Sequence, residues 1–211
     1  MIRVLVVDDH QLVRNGFSQL LSQASDIEVV GQAENGEEGV RVYGELEPDV
    51  VLMDIQMPVL DGIEATRKLQ RIYDTCNVVI LSSVETDPFP LQARDAGAIG
   101  FLSKRCTIDE LCAAVRNASA GLPYISTEIA QRLALSKIDG GDSLLDTISP
   151  REMQVLLLAT RGSRNKDIAE EMNISEKTVS TYKQRLYEKL GVKNDVEMAH
   201  YALRHHLIEV K

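Results

Sequence analysis

The sequence is poor in the residues that build most metal and redox centres. Only three of its 211 residues are cysteine, Cys76, Cys106 and Cys112. An odd number without paired ligand spacing argues against a disulfide framework or a thiolate metal site, and points to reduced thiols that pack. Histidine is scarce as well: His200, His205 and His206 cluster near the end of the chain, far in sequence from His10, so a transition-metal site is not expected. No apolar run approaches the roughly eighteen residues of a membrane helix, and the N-terminus lacks the charged, apolar and small-residue succession of a signal peptide. The expectation is a cytoplasmic protein that does not engage a membrane.

Positive charge is also in deficit, but unevenly. Residues 1–148 hold 12 Lys and Arg against 23 Asp and Glu, a balance of −11, whereas residues 149–211 hold 11 against 9, a balance of +2. An acidic front suits cations, and a locally basic tail is compatible with phosphate-rich partners.

What the sequence does have is alternation. Short apolar runs at Val4 to Val7, Ile27 to Val30, Val50 to Met53, Val78 to Leu81 and Ile99 to Leu102 alternate with mixed stretches such as Gln11 to Ser22 and Asp61 to Ile72. Five strands alternating with helices predict an α/β fold, a parallel sheet covered on both faces, with its functional crevice at the carboxyl ends of the strands. Ile125 to Leu135 reads as one further helix, and no further strand is evident. SKIDGGDSLLDT, Ser136 to Thr147, has the Gly, Asp and Ser content of a flexible connection. The boundaries drawn are 1–122 for the α/β domain, 123–147 for a linking helix and connection, and 148–211 for a smaller all-α domain.

The tail reads as four helices. SPRE, Ser149 to Glu152, combines a capping Ser, Pro at the first helical position and Glu at the third. NKDIAEEM follows, then NIS, whose Ser175 caps EKTVSTYKQRLYEKL, with Gly191 placed to stop that helix. The final helix spans Val196 to His206. Two short helices with a tight connection, the second longer and exposing cations and hydroxyls, describe a helix-turn-helix.

The acids fall where the sheet predicts a crevice. Asp8 and Asp9 follow the first strand, Asp54 ends VVLMD, Ser82 ends the fourth strand, and Lys104 follows the fifth. Taken singly, each has a plainer reading: an Asp after a strand is more often a cap or turn former, and a lone Lys is more often solvated. Taken jointly, three carboxylates need a counter-charge, and a hard cation such as Mg²⁺ is the natural one. A cation bridging carboxylate and phosphoryl oxygens opposite a fixed Lys would suit phosphoryl transfer. On this reading Asp54 stands in the crevice and not in the core.

VDDH at Val7 to His10, VVLMDIQMP at Val50 to Pro58, ILSS at Ile80 to Ser83 and GFLSK at Gly100 to Lys104 resemble the signature of a two-component response-regulator receiver domain, a flavodoxin-like (βα)5 fold. The stretch from Thr147 to Leu190 resembles the LuxR-type helix-turn-helix of the NarL/FixJ class. EATRK, DPFP, YIS and DVEMAHYALRH add a resemblance to the GacA/UvrY subgroup. The resemblance implies a DNA-binding transcription factor, not an enzyme, with a sensor histidine kinase and promoter DNA as partners and RNA polymerase as a further one. It makes Asp54 the phosphoacceptor, and assigns Mg²⁺ to Asp8, Asp9, Asp54 and the backbone carbonyl of Gln56. Lys104 would neutralise the phosphoryl oxygens, Ser82 would bond the new phosphoryl group, and Phe101 would change rotamer with it. The sequence departs from the pattern at Arg105, where many receivers have Pro. A cis bond before a non-proline residue costs about 3 kcal/mol, so the Lys104–Arg105 geometry stays open, while the charge of Lys104 does not depend on it.

The proposed reading helix divides into faces. Val179, Leu186 and Leu190, with Tyr182, form the expected buried stripe. Lys177, Thr178, Ser180, Thr181, Gln184 and Arg185 form the expected DNA face, and Lys183, Lys189 and Lys193 are expected to add charge along its flank. In the last helix Val196, Ala199, Ala202 and Leu203 either pack internally or make a homodimer that reads paired half-sites, and the family favours the dimer. Two alternatives are a Mg²⁺-dependent aspartyl-phosphate phosphatase and a protein-binding signalling adaptor. The phosphatases of haloacid dehalogenase type place an Asp-x-Asp pair after the first strand, whereas here the pair is adjacent.

Overall fold

A computed structural model describes residues 1–73, 75–82, 89–127, 129–130, 147–205 and 207–208. These fall into two compact units, one before residue 135 and one from there on. Among the described residues no helix is long and apolar enough to cross a membrane.

The first unit is a parallel sheet with strands β1 (Ile2–Val7), β2 (Ile27–Ala33), β3 (Val50–Asp54), β4 (Val78–Ser82), β5 (Gly100–Ser103) and β6 (Tyr124–Ile125). Their order is β2-β1-β3-β4-β5-β6, and every pair is parallel. The helices between them are α1 (Gln11–Leu21), α2 (Gly36–Leu46), α3 (Gly62–Ile72), α4 (Phe89–Asp95) and α5 (Ile108–Ser119). β3 and β4 lie at the centre and are buried along their whole length, which is why they read as continuous apolar runs and not as alternations. Val4, Val6, Val50, Leu52, Val79, Leu81 and Leu102 meet Phe17 and Leu21 of α1 and Leu111, Ala114 and Val115 of α5 in one buried cluster. The intervening strand residues, such as Val7, Met53 and Ile80, are equally buried and point to the other face.

The five expected strands are present, and β6 is an additional one. Its two residues pair with Gly100 and Phe101, and so short a segment carries no periodicity to read. Ile125 is therefore strand, not the first residue of a helix, and most of the helix expected from Ile125 to Leu135 lies outside the described residues, as does nearly all of the connection from Ser136 to Thr147.

Among its described residues the second unit has four helices: α6 (Pro150–Thr160), α7 (Asn165–Glu171), α8 (Glu176–Leu190) and α9 (Asp195–Arg204). The capping box is formed: the Glu152 amide donates to Ser149 Oγ at 3.3 Å, and Glu152 Oε2 accepts from the Ser149 amide at 2.8 Å. Ser175 Oγ accepts from the Thr178 amide and starts α8. Gly191, at φ +68°, ends it with its amide on the Tyr187 carbonyl. Met153, Leu156, Ile168, Val179, Leu186, Leu190, Met198 and Ala202 are buried in the core of this bundle.

Candidate functional site

The sheet brings the expected acids together. β1 ends at Val7, so Asp8 and Asp9 emerge next to the carboxyl end of β3, where Asp54 is the last strand residue. Ser82 pairs with Ser103 at the matching ends of β4 and β5, and the Lys104 amide donates to the Ser82 carbonyl at 2.8 Å. Lys104 Nζ then lies 2.7 Å from Asp8 Oδ2 and 2.9 Å from Asp54 Oδ2. Gly62, at the start of α3, is needed for this placement: a Cβ there would run into the Asp54 carbonyl oxygen.

Burial differs from expectation. Asp54 is 3% exposed and Asp8 is inaccessible, so the acid forms the floor of the crevice and belongs to the core edge. The reason is that β3 is covered on both faces up to its last residue. Burial pushes the Asp54 carboxyl up to about 7, Lys104 opposes that shift, and the negative charges of Asp8 and Asp9 add to it. For Lys104, burial works against the ammonium, but Asp54 and Asp8 outweigh it and hold its pKa above the ordinary lysine value.

Asp9 sits at the rim. Its Oδ1 is 2.7 Å from Nδ1 of His10, a residue that is largely exposed. His10 stands at the N-cap position of α1, as expected of a residue that begins the helix, and its amide donates to Asp8 Oδ1 at 2.8 Å. Asp8 therefore ties the start of α1 without itself being the cap. Ligand atoms of Asp8, Asp9, His10 and Asp54 lie within 4.8 Å of one another. The fit to a hard divalent cation rests on the donor set: three carboxylates converge, and among the described residues Lys104 is the one ammonium in contact with Asp8 and Asp54, so negative charge exceeds positive there. Gln56 follows in the loop after β3 and is half-buried, while Ser82 and Phe101 are buried, Phe101 opposite Ile80. Arg14 is a further member that the sequence does not single out: one turn into α1, its guanidinium donates to the Asp8 carbonyl. Its only sequence signal is a spacing of six from Asp8, which no strand or helix period would single out.

In the second unit, Lys177, Ser180, Thr181, Gln184 and Arg185 are exposed along α8, and Thr178 is half-buried, its hydroxyl 2.8 Å from Ser175 Oγ. Lys183 is not on the flank. It is 6% exposed and its Nζ lies 2.8 Å from Asp195 Oδ2. The buried stripe runs Val179, Lys183, Leu186, Leu190, and Tyr182 is only half-buried; the inward place four residues after Val179 is taken by a lysine because a carboxylate waits there. Lys189 is likewise engaged, 2.6 Å from Glu152 Oε2 and 2.7 Å from the Thr147 carbonyl. Lys193 is exposed. On α9, Val196 is 65% exposed, Ala199 and Leu203 are half-buried, and Ala202 is fully buried. Ala202 thus packs inside the unit and is removed from the dimer set, because with Met198, four residues earlier, it forms the inward stripe. His205 follows α9 and stacks on Tyr201 with ring centroids 4.2 Å apart; His206 lies outside the described residues.

Comparison with known proteins gives two family matches. Residues 4–116 match the response regulator receiver domain, and residues 146–202 match the bacterial regulatory proteins of the luxR family. The chain is 44% identical over 211 residues to the response regulator GacA of Pseudomonas aeruginosa, covering 99% of both chains. It is 41% identical over 209 residues to the response regulator UvrY of Escherichia coli, covering 98% of this chain and 96% of that one. Among solved structures, RcsB from Salmonella enterica serovar Typhimurium, bound to promoter rprA with the phosphomimetic BeF3−, aligns with a TM-score of 0.69 and 27% identity over 95% of this chain and 97% of that one.

Proposed function

The chain belongs to the response regulators that join a receiver domain to a LuxR-type DNA-binding domain, and from that premise we propose that Asp54 accepts a phosphoryl group from a sensor histidine kinase. The observation that carries this reading is the cluster of Asp8, Asp9 and Asp54 with the ammonium of Lys104 on Asp8 and Asp54.

An Asp54 carboxylate oxygen attacks the phosphorus of the donor phosphohistidine. The new O–P bond forms as the N–P bond breaks, and the imidazole nitrogen leaves with the electron pair. Asp54 must be ionised to attack, and Lys104 favours that form against the cost of burial. Mg²⁺ held by Asp8, Asp9, Asp54 and the Gln56 carbonyl would supply charge neutralisation for the transferring oxygens. Lys104 keeps its charge within reach of the same oxygens, and the Ser82 hydroxyl donates to the product. Phe101, on the next strand, moves with that hydroxyl and biases a population already accessible to the receiver.

In the DNA-binding domain, Ser180, Thr181, Gln184 and Arg185 read base edges while Lys177 and Lys193 meet phosphates. Val196, Ala199 and Leu203 form the two-fold contact of a homodimer on paired half-sites. The proposed division is 1–122, 123–147 and 148–211, except that β6 (Tyr124–Ile125) pairs with β5 and carries the receiver's sheet past residue 122. The protein acts in the cytoplasm as a regulator, with RNA polymerase as a further partner at the promoter, and not as an enzyme with turnover. Neither the phosphatase nor the adaptor reading is favoured, because two matched domains account for most of the chain. The test is incubation with Mg²⁺ and acetyl phosphate: the wild-type chain should gain one phosphoryl group by intact mass, and Asp54→Ala should gain none. Labelling of Asp54→Ala at the wild-type level contradicts the assignment.

A further inference from the structure

A lysine in the buried stripe of a DNA-reading helix is an unusual choice, and its surroundings explain it. Lys183 and Tyr187 are one turn apart on α8 and so share a face. Both end on the same carboxylate: Lys183 Nζ donates to Asp195 Oδ2 at 2.8 Å, and Tyr187 Oη donates to Asp195 Oδ1 at 2.7 Å. Asp195 is the first residue of α9, in a first turn where a carboxylate is favoured by the helix dipole. The Lys183 side chain is 8% exposed, so its charge depends on this one partner among the described residues. The residues next to it in sequence, Gln184 and Arg185, are exposed on the outward face, and Gln184 is held along the helix by a 3.1 Å bond to Glu188.

Two donors from one helix converging on two oxygens of another hold the buried ammonium in place and with it the rotation of α8 about its axis. We propose that Asp195 is a positioning residue for DNA reading: by holding Lys183 and Tyr187 it sets the rotation of α8 and thereby which side chains enter the groove. Successive residues differ by about 100° around a helix. Without Asp195, the lowest-cost response of a buried ammonium is to reach water, and turning α8 to let it out moves Gln184 and Arg185 off the groove and brings Lys183 towards it. This inference rests on the assignment of α8 as the reading helix.

The test uses the full chain, with acetyl phosphate and Mg²⁺ present. Duplexes enriched by the wild type from a random pool serve as the specific probe, and poly(dI-dC) as the non-specific one. Asp195→Asn should bind the enriched duplex about tenfold more weakly while holding poly(dI-dC) at least as tightly as the wild type, with a salt slope steeper by about one, as one freed cation predicts. A role in stability alone would lower both affinities together. The double variant Lys183→Met/Asp195→Asn, which has no buried charge to release, should recover most of the lost discrimination. An Asp195→Asn ratio of specific to non-specific affinity within twofold of wild type overturns the proposal, as does a proportional loss of both affinities or a double variant no better than the single. A wild-type chain that enriches no sequence contradicts the reading-helix assignment itself, a result separable from any of these.

Discussion

The receiver and the DNA-binding domain both bury charge, and they treat it in opposite ways. In the receiver, Asp8 and Asp54 are almost inaccessible, Asp9 stands beside them, and Lys104 touches the first two. In the helical domain each engaged lysine has its own carboxylate, Lys183 with Asp195 and Lys189 with Glu152. Balanced charge holds helices together. Unbalanced charge is costly to keep unless the site awaits something that balances it, and such sites cluster where chemistry is done.

The largest effect expected from disturbing this contrast is on transfer. Lys104→Ala removes the fixed charge opposite Asp54, and phosphoryl uptake from acetyl phosphate should fall on the order of a hundredfold, as when one preorganised donor is deleted from a charged transition state. Rates from intact mass against time would check it, and an uptake rate within threefold of wild type would speak against a role for the ammonium.

A balanced pair should fail differently. Glu152→Ala removes the carboxylate from the Ser149 amide and from Lys189, which keeps the Thr147 carbonyl, and should destabilise the helical domain by about 2 kcal/mol, discounted from a fully buried pair because a third of Lys189 is exposed. Burial works against the Glu152 carboxylate, but Lys189 and Ser149 outweigh it and hold its pKa below the ordinary glutamate value. A depressed folded pKa contributes stability above the unfolded value of about 4.5 that is lost as pH falls through the folded one. The gap between wild type and variant in urea unfolding should therefore close on acidification below about 4.5.

On DNA, Gln184→Ala and Arg185→Ala should each cost about 1–3 kcal/mol on a cognate duplex. Unchanged affinity for both variants means that another face reads. The smallest effect belongs to the paired lysine. Lys183→Met should leave the salt slope of binding unchanged, whereas Lys177→Ala should lower it by about one; gel-shift titrations at several salt concentrations separate the two.

The contrast also shows what the sequence could and could not reveal. That Asp8, Asp54, Ser82 and Lys104 meet followed from apolar runs ending in polar residues, because a parallel sheet collects its strand ends on one edge. That Asp54 is buried did not follow, since burial of a strand's last residue depends on the helices covering it. The helix-turn-helix was legible from Ser149, Ser175 and Gly191, whose caps act locally. The burial of Lys183 is not legible for the opposite reason: its partner is twelve residues away on another helix, and helical spacing places both Tyr182 and Lys183 near the inward face. β6 was too short to leave a pattern, and Ala202 looked like Ala199 until Met198 defined the inner stripe.

Thermal melting tests directly whether the receiver's unbalanced carboxylates hold a divalent cation. The Asp54 carboxyl is raised from 3.8 to about 7 chiefly by burial. A raised carboxylate lets the folded state bind a proton that the unfolded state has released, so stability falls as pH rises from about 4 to 7. At pH 7 with EDTA, Asp54→Asn should melt higher than wild type, and the difference should shrink towards pH 4. Adding Mg²⁺ at pH 7 should raise the melting temperature of the wild type and do little for Asp54→Asn. A Mg²⁺ shift equal in the two chains, or absent from both, would mean that these carboxylates do not bind the cation.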